Sequence, residues 1–314
     1  LFIGLAFYDF SLVTIFFSFL IYVALKFILT IFLLKREKFH FTIFDLSKIK
    51  EVFWYSAPIA SAGLLTFLVE KMDQIVLTKY LATDDFAFYS MGCLIIPPLY
   101  MLEVSITKVL IPKLSEFQQN SKIALEYFRK AISDSGLLLI PASAGLFIFA
   151  TPIVELLYTE AYTESSIYLK IFSFSYLVFL IPYDCVPRAT GKTKWIFQMS
   201  AVLSPLSLIA VLLTASYSNA VNVLIVSIIF KALFRLAGLA YSCKVMDWNI
   251  LEVIPIKKLG IFTISSIILS FLSLSLESSF ESKIWWFFTC GTGFFLLYFV
   301  FLIYPLKKGY LSDI

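Results

Sequence analysis

Long apolar stretches alternate with short polar connections along the whole chain. The apolar stretches cover roughly residues 11–34, 53–78, 87–111, 133–156, 167–187, 195–215, 220–243, 259–276 and 284–305. A helix needs about 20 apolar residues to cross about 30 Å of hydrocarbon, and runs of this length exceed the roughly ten residues of a barrel strand. The pattern therefore predicts an all-α integral membrane protein of about nine transmembrane helices.

Composition agrees with this pattern and excludes several function classes. Hydrophobic residues make up 60% of the 314 positions and charged residues 15%, whereas soluble domains are about half apolar and a quarter charged. The net charge of +4 is too small to indicate nucleic acid binding. The four cysteines are scattered without metal or redox spacing, and no phosphate loop or nucleophile motif is present. We therefore expect no enzyme, no metal site and no cofactor.

The Lys and Arg residues of the connections fall mainly on one side of the predicted membrane. Seventeen lie on one side and two, Lys79 and Lys283, on the other. The basic side of a membrane protein faces the cytoplasm. The asymmetry predicts a multi-pass membrane protein with a cytoplasmic C-terminus.

The start of the chain raises a question of completeness. Nine spans and a cytoplasmic C-terminus place Leu1 outside, yet no basic segment typical of a signal peptide precedes the first span. The apolar segment Leu1 to Phe7 looks like the end of an earlier helix. We expect the chain to be the C-terminal part of a longer protein; the alternative is a complete protein with a wrongly assigned start.

An amphipathic segment precedes the fourth apolar stretch. Between Ser121 and Ala131, apolar residues fall on one helical face and charged residues on the other. This pattern predicts an interfacial helix on the cytoplasmic surface.

Two cations lie near the middle of the seventh stretch. Lys231 and Arg235 are four residues apart and therefore share one helical face, where like charges repel. A charge within the membrane costs about 2.5–3.5 kcal/mol on insertion scales. Either an anionic ligand or a water-filled cavity compensates these cations, or both pair with carboxylates of neighbouring helices.

Carboxylates occur within the second and third stretches. Glu70 and Asp73 recur at helical spacing, and Glu103 lies on the next stretch near Lys108. Carboxylates in such settings can bind and release a proton or a sodium ion. The alternative for each is an ion pair, for example between Glu70 and Lys71.

Several local patterns occur in the order found in one family of exporters. The chain resembles the O-antigen and polysaccharide flippases of the multidrug/oligosaccharidyl-lipid/polysaccharide exporter superfamily. The patterns that carry the resemblance are Trp54-Tyr55-Ser56-Ala57-Pro58, Met72-Asp73-Gln74-Ile75-Val76-Leu77, Phe88-Tyr89-Ser90, Val109-Leu110-Ile111-Pro112-Lys113-Leu114-Ser115, Glu155-Leu156-Leu157-Tyr158, Ala161-Tyr162, Tyr168-Leu169 and Arg188-Ala189-Thr190-Gly191-Lys192-Thr193-Lys194.

The resemblance implies two lobes of helices around a central cavity. Residues 1–50 would then be the end of the first lobe, with one span and a cytoplasmic linker, and residues 51–314 the second lobe of eight transmembrane helices. The implied substrate is a polyprenyl-pyrophosphate-linked oligosaccharide of polysaccharide or lipopolysaccharide biosynthesis, which crosses the membrane by alternating access. The partners would be membrane lipids, polysaccharide polymerase and chain-length machinery. In this interpretation, the substrate-binding cations are Lys231, Arg235 and Lys108, and the ion-coupling candidates are Asp73, Glu103 and Glu70.

Two other functions stay open at this point. A multidrug or cation antiporter of the same superfamily would need acidic residues in its cavity, and the two mid-span cations argue against it. A membrane oligosaccharide polymerase or glycosyltransferase would need a catalytic surface, commonly a large outer loop, whereas the predicted outer connections are short.

Overall fold

The computed structural model describes residues 12–36, 46–280 and 282–300. These residues form helices without a strand, which confirms the all-α prediction for this part of the chain. The helices are α1 Leu12–Arg36, α2 Leu46–Leu77, α3 Thr83–Gly92, α4 Pro97–Glu116, α5 Ser121–Ile148, α6 Ala150–Tyr158, α7 Ser165–Phe172, α8 Ser175–Val178, α9 Cys185–Ala189, α10 Thr193–Tyr217, α11 Ala220–Met246, α12 Ile250–Val253, α13 Ile256–Ser275 and α14 Lys283–Tyr298, with short 3₁₀ turns at Glu160–Tyr162 and Glu277–Ser279.

Six helices of the described residues are long and apolar enough to cross a membrane. They lie in α1, α2, α5, α10, α11 and the stretch from α13 to Ser279, so the protein is a multi-pass membrane protein. Helices α3 and α4 make a seventh span if the pair is counted as one, with a bend of 51° between them. Two consecutive prolines, Pro97 and Pro98, start α4 at this bend, where a proline fits the first helical turn but cannot continue a preceding helix.

The predicted fifth span, residues 167–187, is broken. Three short helices, α7, α8 and α9, replace it. Pro182 lies between α8 and α9 and lacks the amide hydrogen that a continuous helix needs. The predicted ninth span corresponds to α14, and the helical backbone continues through Phe299 to Val300, where the described residues end. Lys307 and Lys308, on which the cytoplasmic C-terminus partly rests, lie outside the described residues, as does the segment Leu1 to Phe7.

The amphipathic segment Ser121–Ala131 is the first part of α5 rather than a separate interfacial helix. Its apolar face packs on protein: Ala124 and Phe128 are fully buried, and the Phe128 ring lies 5.3 Å from the ring of Trp248. The prediction of a helix resting on the membrane surface was therefore wrong, because the chain itself covers the apolar face.

The chain divides into two compact units, residues 1–52 and 53–314. In the first unit, α1 exposes its large apolar side chains, including Phe16, Leu20 and Phe27. The second unit contains two large cores that α11 connects. One core includes Leu224 and Phe234, and the other includes Leu239 and Cys243. All four cysteines are free and buried, as predicted from their scattered positions.

Candidate functional site

Arg235 on α11 forms a buried ion pair in the second unit. Its side chain is buried, and its Nη2 atom pairs with Oε1 of Glu103 at 2.5 Å. Its Nη1 atom donates a hydrogen bond to the Ile181 carbonyl at 3.1 Å. Since Glu103 lies on α4, this ion pair connects α4, α11 and the broken segment before α9.

The break in the predicted fifth span explains how Arg235 is held. Ile181 and Pro182 lie in the non-helical segment between α8 and α9, so the Ile181 carbonyl can accept the hydrogen bond from Arg235. The rings of Tyr183 and Phe179 lie 4.7 and 5.2 Å from the guanidinium carbon, within the range of a cation–π contact. Gly238, one turn after Arg235, permits this approach: a Cβ atom there would lie 2.5 Å from the Cβ of Tyr183.

Lys231, one turn before Arg235, is held differently. Among the described residues it forms no salt bridge, and its Nζ atom lies 5.8 Å from the centre of the Phe172 ring. The side chain is partly buried and lines a narrow cavity of about 60 Å³. A cavity of this size holds a few water molecules and is too small for a sugar headgroup.

Asp73 lines the same cavity from α2 and is 2% exposed. The Tyr89 hydroxyl donates a hydrogen bond to its Oδ2 atom at 2.5 Å. Its Oδ1 atom is buried and has no hydrogen-bond partner among the described residues. Buried polar atoms are nearly always paired, so Oδ1 is a place where a water, a proton or a cation can be held.

Glu70 lies one turn before Asp73 and faces both the cavity and a neighbouring cleft. It forms no salt bridge with any described residue, and the expected pair with Lys71 is absent. Lys71 instead donates a hydrogen bond to Gln74 Oε1 at 3.4 Å.

The cleft is wider, at about 470 Å³, and Glu70, Tyr100, Glu103 and Arg235 are among its lining residues. Lys108 lies along it in an exposed position, outside the narrow cavity that holds Lys231. Asp184 and Arg188 also line the cleft and form an ion pair at 2.5 Å.

The structure thus brings all six predicted residues to two neighbouring spaces, with Asp73 and Lys231 in the cavity only, Glu103 and Lys108 in the cleft only, and Glu70 and Arg235 in both. Sequence reasoning missed Tyr89, Tyr183, Phe179 and the Ile181 carbonyl. Pro182 inside an apolar stretch was the only local signal, because aromatic residues are too common in this chain for any single ring to stand out.

The site can bind ions of both signs. Arg235 is neutralised by Glu103, whereas Lys231 is a cation without a carboxylate partner and Glu70 and Asp73 are carboxylates without a cationic partner, within the described residues. Such an arrangement can bind an anionic group at the lysine and exchange a proton or cation at the carboxylates.

Comparison with known proteins gives one match. A family model described as polysaccharide biosynthesis protein matches residues 1–167, more than half of the chain. This range includes Glu70, Asp73, Glu103 and Lys108 and ends before Lys231 and Arg235. No curated protein and no solved structure shows a significant match to the chain.

Proposed function

Because the chain belongs to the polysaccharide biosynthesis protein family and so acts in polysaccharide biosynthesis, we propose that it is a flippase-type transporter. Its substrate is a polyprenyl-pyrophosphate-linked oligosaccharide, which it moves from the inner to the outer leaflet of the bacterial cytoplasmic membrane by alternating access. The observation that carries this proposal is Lys231, a cation on a membrane-spanning helix that lines a cavity and forms no salt bridge with any described residue.

The two cations of α11 are compensated to different degrees. Arg235 is compensated within the protein by Glu103 and the Ile181 carbonyl. Lys231 shares its cavity with Glu70 and Asp73 but forms a salt bridge with neither, and its Nζ atom faces the ring of Phe172. Its charge is therefore compensated less fully than that of Arg235. Charge-assisted contacts to phosphate oxygens are strong in a low dielectric. A pyrophosphate that entered the cleft would compete with Glu103 for Arg235, which lines both spaces, and would gain the contact with Lys231 on reaching the cavity.

The unpaired carboxylates supply the coupling step of this mechanism. Protonation of Asp73 on Oδ1 would neutralise a buried charge without breaking the hydrogen bond from Tyr89 to Oδ2. Glu70 faces both spaces and can pass an ion between the cleft and the cavity. Binding and release of a proton or sodium ion here would drive the protein between its two orientations.

The carboxylates also support a second candidate. A cation or multidrug antiporter of the same superfamily would use Asp73 and Glu70 for its cationic substrate. In that case Lys231 would hinder transport, so its removal would raise the rate instead of abolishing it.

Replacement of Lys231 tests the flippase. The protein, expressed from its native gene in a strain that lacks the flippase, should restore surface polysaccharide. Lys231→Gln should reach normal abundance in the membrane and reduce transport by about tenfold or more, since one charge-assisted contact is worth about 1.5–3 kcal/mol. Lys231→Arg should retain more activity than Lys231→Gln. Normal transport by Lys231→Gln would refute this role, and faster export of cationic drugs would favour the antiporter.

A further inference from the structure

Two pockets lie at opposite ends of the hairpin formed by α10 and α11. The first, called the basic pocket here, has a volume of about 480 Å³. Its principal side chains are Trp54, Tyr55, Lys192, Lys194, Trp195 and Tyr241. The second, called the acidic pocket, has a volume of about 560 Å³ and includes Asp85 and Glu164.

The aromatic walls of the basic pocket are fixed by contacts. The rings of Trp195 and Tyr241 stack face to face, with centres 3.8 Å apart and planes 8° from parallel. The Tyr55 hydroxyl donates a hydrogen bond to the Arg188 carbonyl at 3.2 Å, and the Thr193 hydroxyl donates one to the Tyr55 carbonyl at 3.4 Å. Ring faces carry negative charge density and therefore attract the C–H groups on the face of a sugar ring.

The charged side chains that line the basic pocket are both positive. Lys192 and Lys194 are exposed and form no salt bridge with any described residue. No carboxylate lines this pocket. A phosphate group held here would accept charge-assisted hydrogen bonds from both ammonium groups, beside rings that can pack against an attached sugar.

The two pockets lie about one membrane thickness apart along α11. Tyr241 lies 21 residues after Ala220, which lines the acidic pocket, so about 31 Å of helix separates them, close to the hydrocarbon thickness of a bilayer. The positive-inside asymmetry puts the basic pocket on the cytoplasmic side. No lysine or arginine lines the acidic pocket, which therefore repels the anion that the basic pocket attracts.

We propose that the basic pocket is the entry site where the sugar–diphosphate headgroup of the lipid substrate docks before it reaches Lys231. The two lysines hold the diphosphate, and the aromatic rings hold the first sugar. This inference rests on the proposed flippase function for the identity of the substrate, but it concerns a separate site.

Binding to purified protein tests the entry site. The protein, in nanodiscs of phosphatidylcholine, is titrated with a short-chain polyprenyl diphosphate that carries one N-acetylglucosamine. The double variant Lys192→Gln, Lys194→Gln should bind this probe about tenfold more weakly or worse, as expected for the loss of charge-assisted phosphate contacts. Trp195→Leu should also weaken binding. The matched control Lys122→Gln, Lys244→Gln removes two exposed lysines elsewhere and should bind like the wild type.

Two further probes separate a specific site from a general lipid site. The same diphosphate without its sugar should bind the wild type more weakly than the glycosylated probe does. It should bind Trp195→Leu as strongly as it binds the wild type. Phosphatidylglycerol should compete poorly with the glycosylated probe. Equal competition by phosphatidylglycerol would overturn the proposal, because the pocket would then bind any anionic headgroup. Wild-type binding by the lysine double variant would also overturn it and leave the flippase intact, whereas failure of the wild type to bind the glycosylated probe would count against the flippase itself.

Discussion

Lys231 and Arg235 lie one turn apart on the same helix, yet their surroundings differ completely. Arg235 is enclosed by Glu103, the Ile181 carbonyl and two aromatic rings. Lys231 faces a small cavity in which Asp73 keeps one oxygen atom without a partner. Arg235 is therefore neutralised by a partner within the protein, whereas Lys231 and Asp73 are not ion-paired with any described residue.

The difference indicates a structural role for Arg235 and a transport role for Lys231. The contacts of Arg235 with Glu103 and the Ile181 carbonyl connect α4, α11 and the broken segment before α9. Loss of these contacts should therefore first affect folding. Lys231 and Asp73 line one cavity and form no salt bridge that holds the described helices together, so their loss should first affect transport.

Loss of the Arg235 charge should destabilise the protein most. Arg235→Gln leaves Glu103 buried and unpaired, and breaking one partner of a buried ion pair typically costs about 3–5 kcal/mol. We expect low abundance in the membrane and a lower melting temperature of the purified protein. The double variant Arg235→Gln, Glu103→Gln should recover much of the loss, since no charge is left unpaired.

An exposed ion pair is the matched control for this experiment. Lys113 and Glu116 pair at 2.9 Å on α4 with both side chains largely exposed. Surface pairs contribute little, so Lys113→Gln should leave abundance and melting temperature unchanged. Equal effects of Arg235→Gln and Lys113→Gln would show that the buried pair has no structural role.

Close packing at Gly238 should matter next. Gly238→Ala would place a Cβ atom 2.6 Å from the Tyr183 carbonyl oxygen, so the segment that carries Tyr183 must move away from Arg235. Overpacking of this kind costs about 1–3 kcal/mol. The measurement is the melting temperature, with Gly260→Ala as control, because a Cβ there meets no atom within 4 Å. If both variants have the same melting temperature, Gly238 does not position Tyr183.

The sequence predicted more of the helices than of the contacts between them. Hydrophobic length identified α1, α2, α10 and α11, since lipid-facing helices must be apolar along most of their length. It missed the break around Pro182, because an apolar run looks the same whether its helix is continuous or interrupted. Helical spacing put Lys231 and Arg235 on one face but could not distinguish them, because their different partners come from parts of the chain more than fifty residues away.

Removal of the Asp73 charge should change stability least and coupling most. Asp73→Asn keeps a carbonyl oxygen that can accept the hydrogen bond from Tyr89, and it removes a buried charge that has no cationic partner, so we expect a stability change of less than about 1 kcal/mol. If Asp73 carries the coupling proton, the variant in proteoliposomes should still bind the lipid probe, but a pH gradient should no longer accelerate its flipping. Asp85→Asn, an exposed residue of the acidic pocket, is the control and should keep the response. If a pH gradient accelerated flipping by Asp73→Asn to the wild-type rate, coupling would belong to another residue. Glu70 would be the next to test, because it faces both the cavity and the cleft.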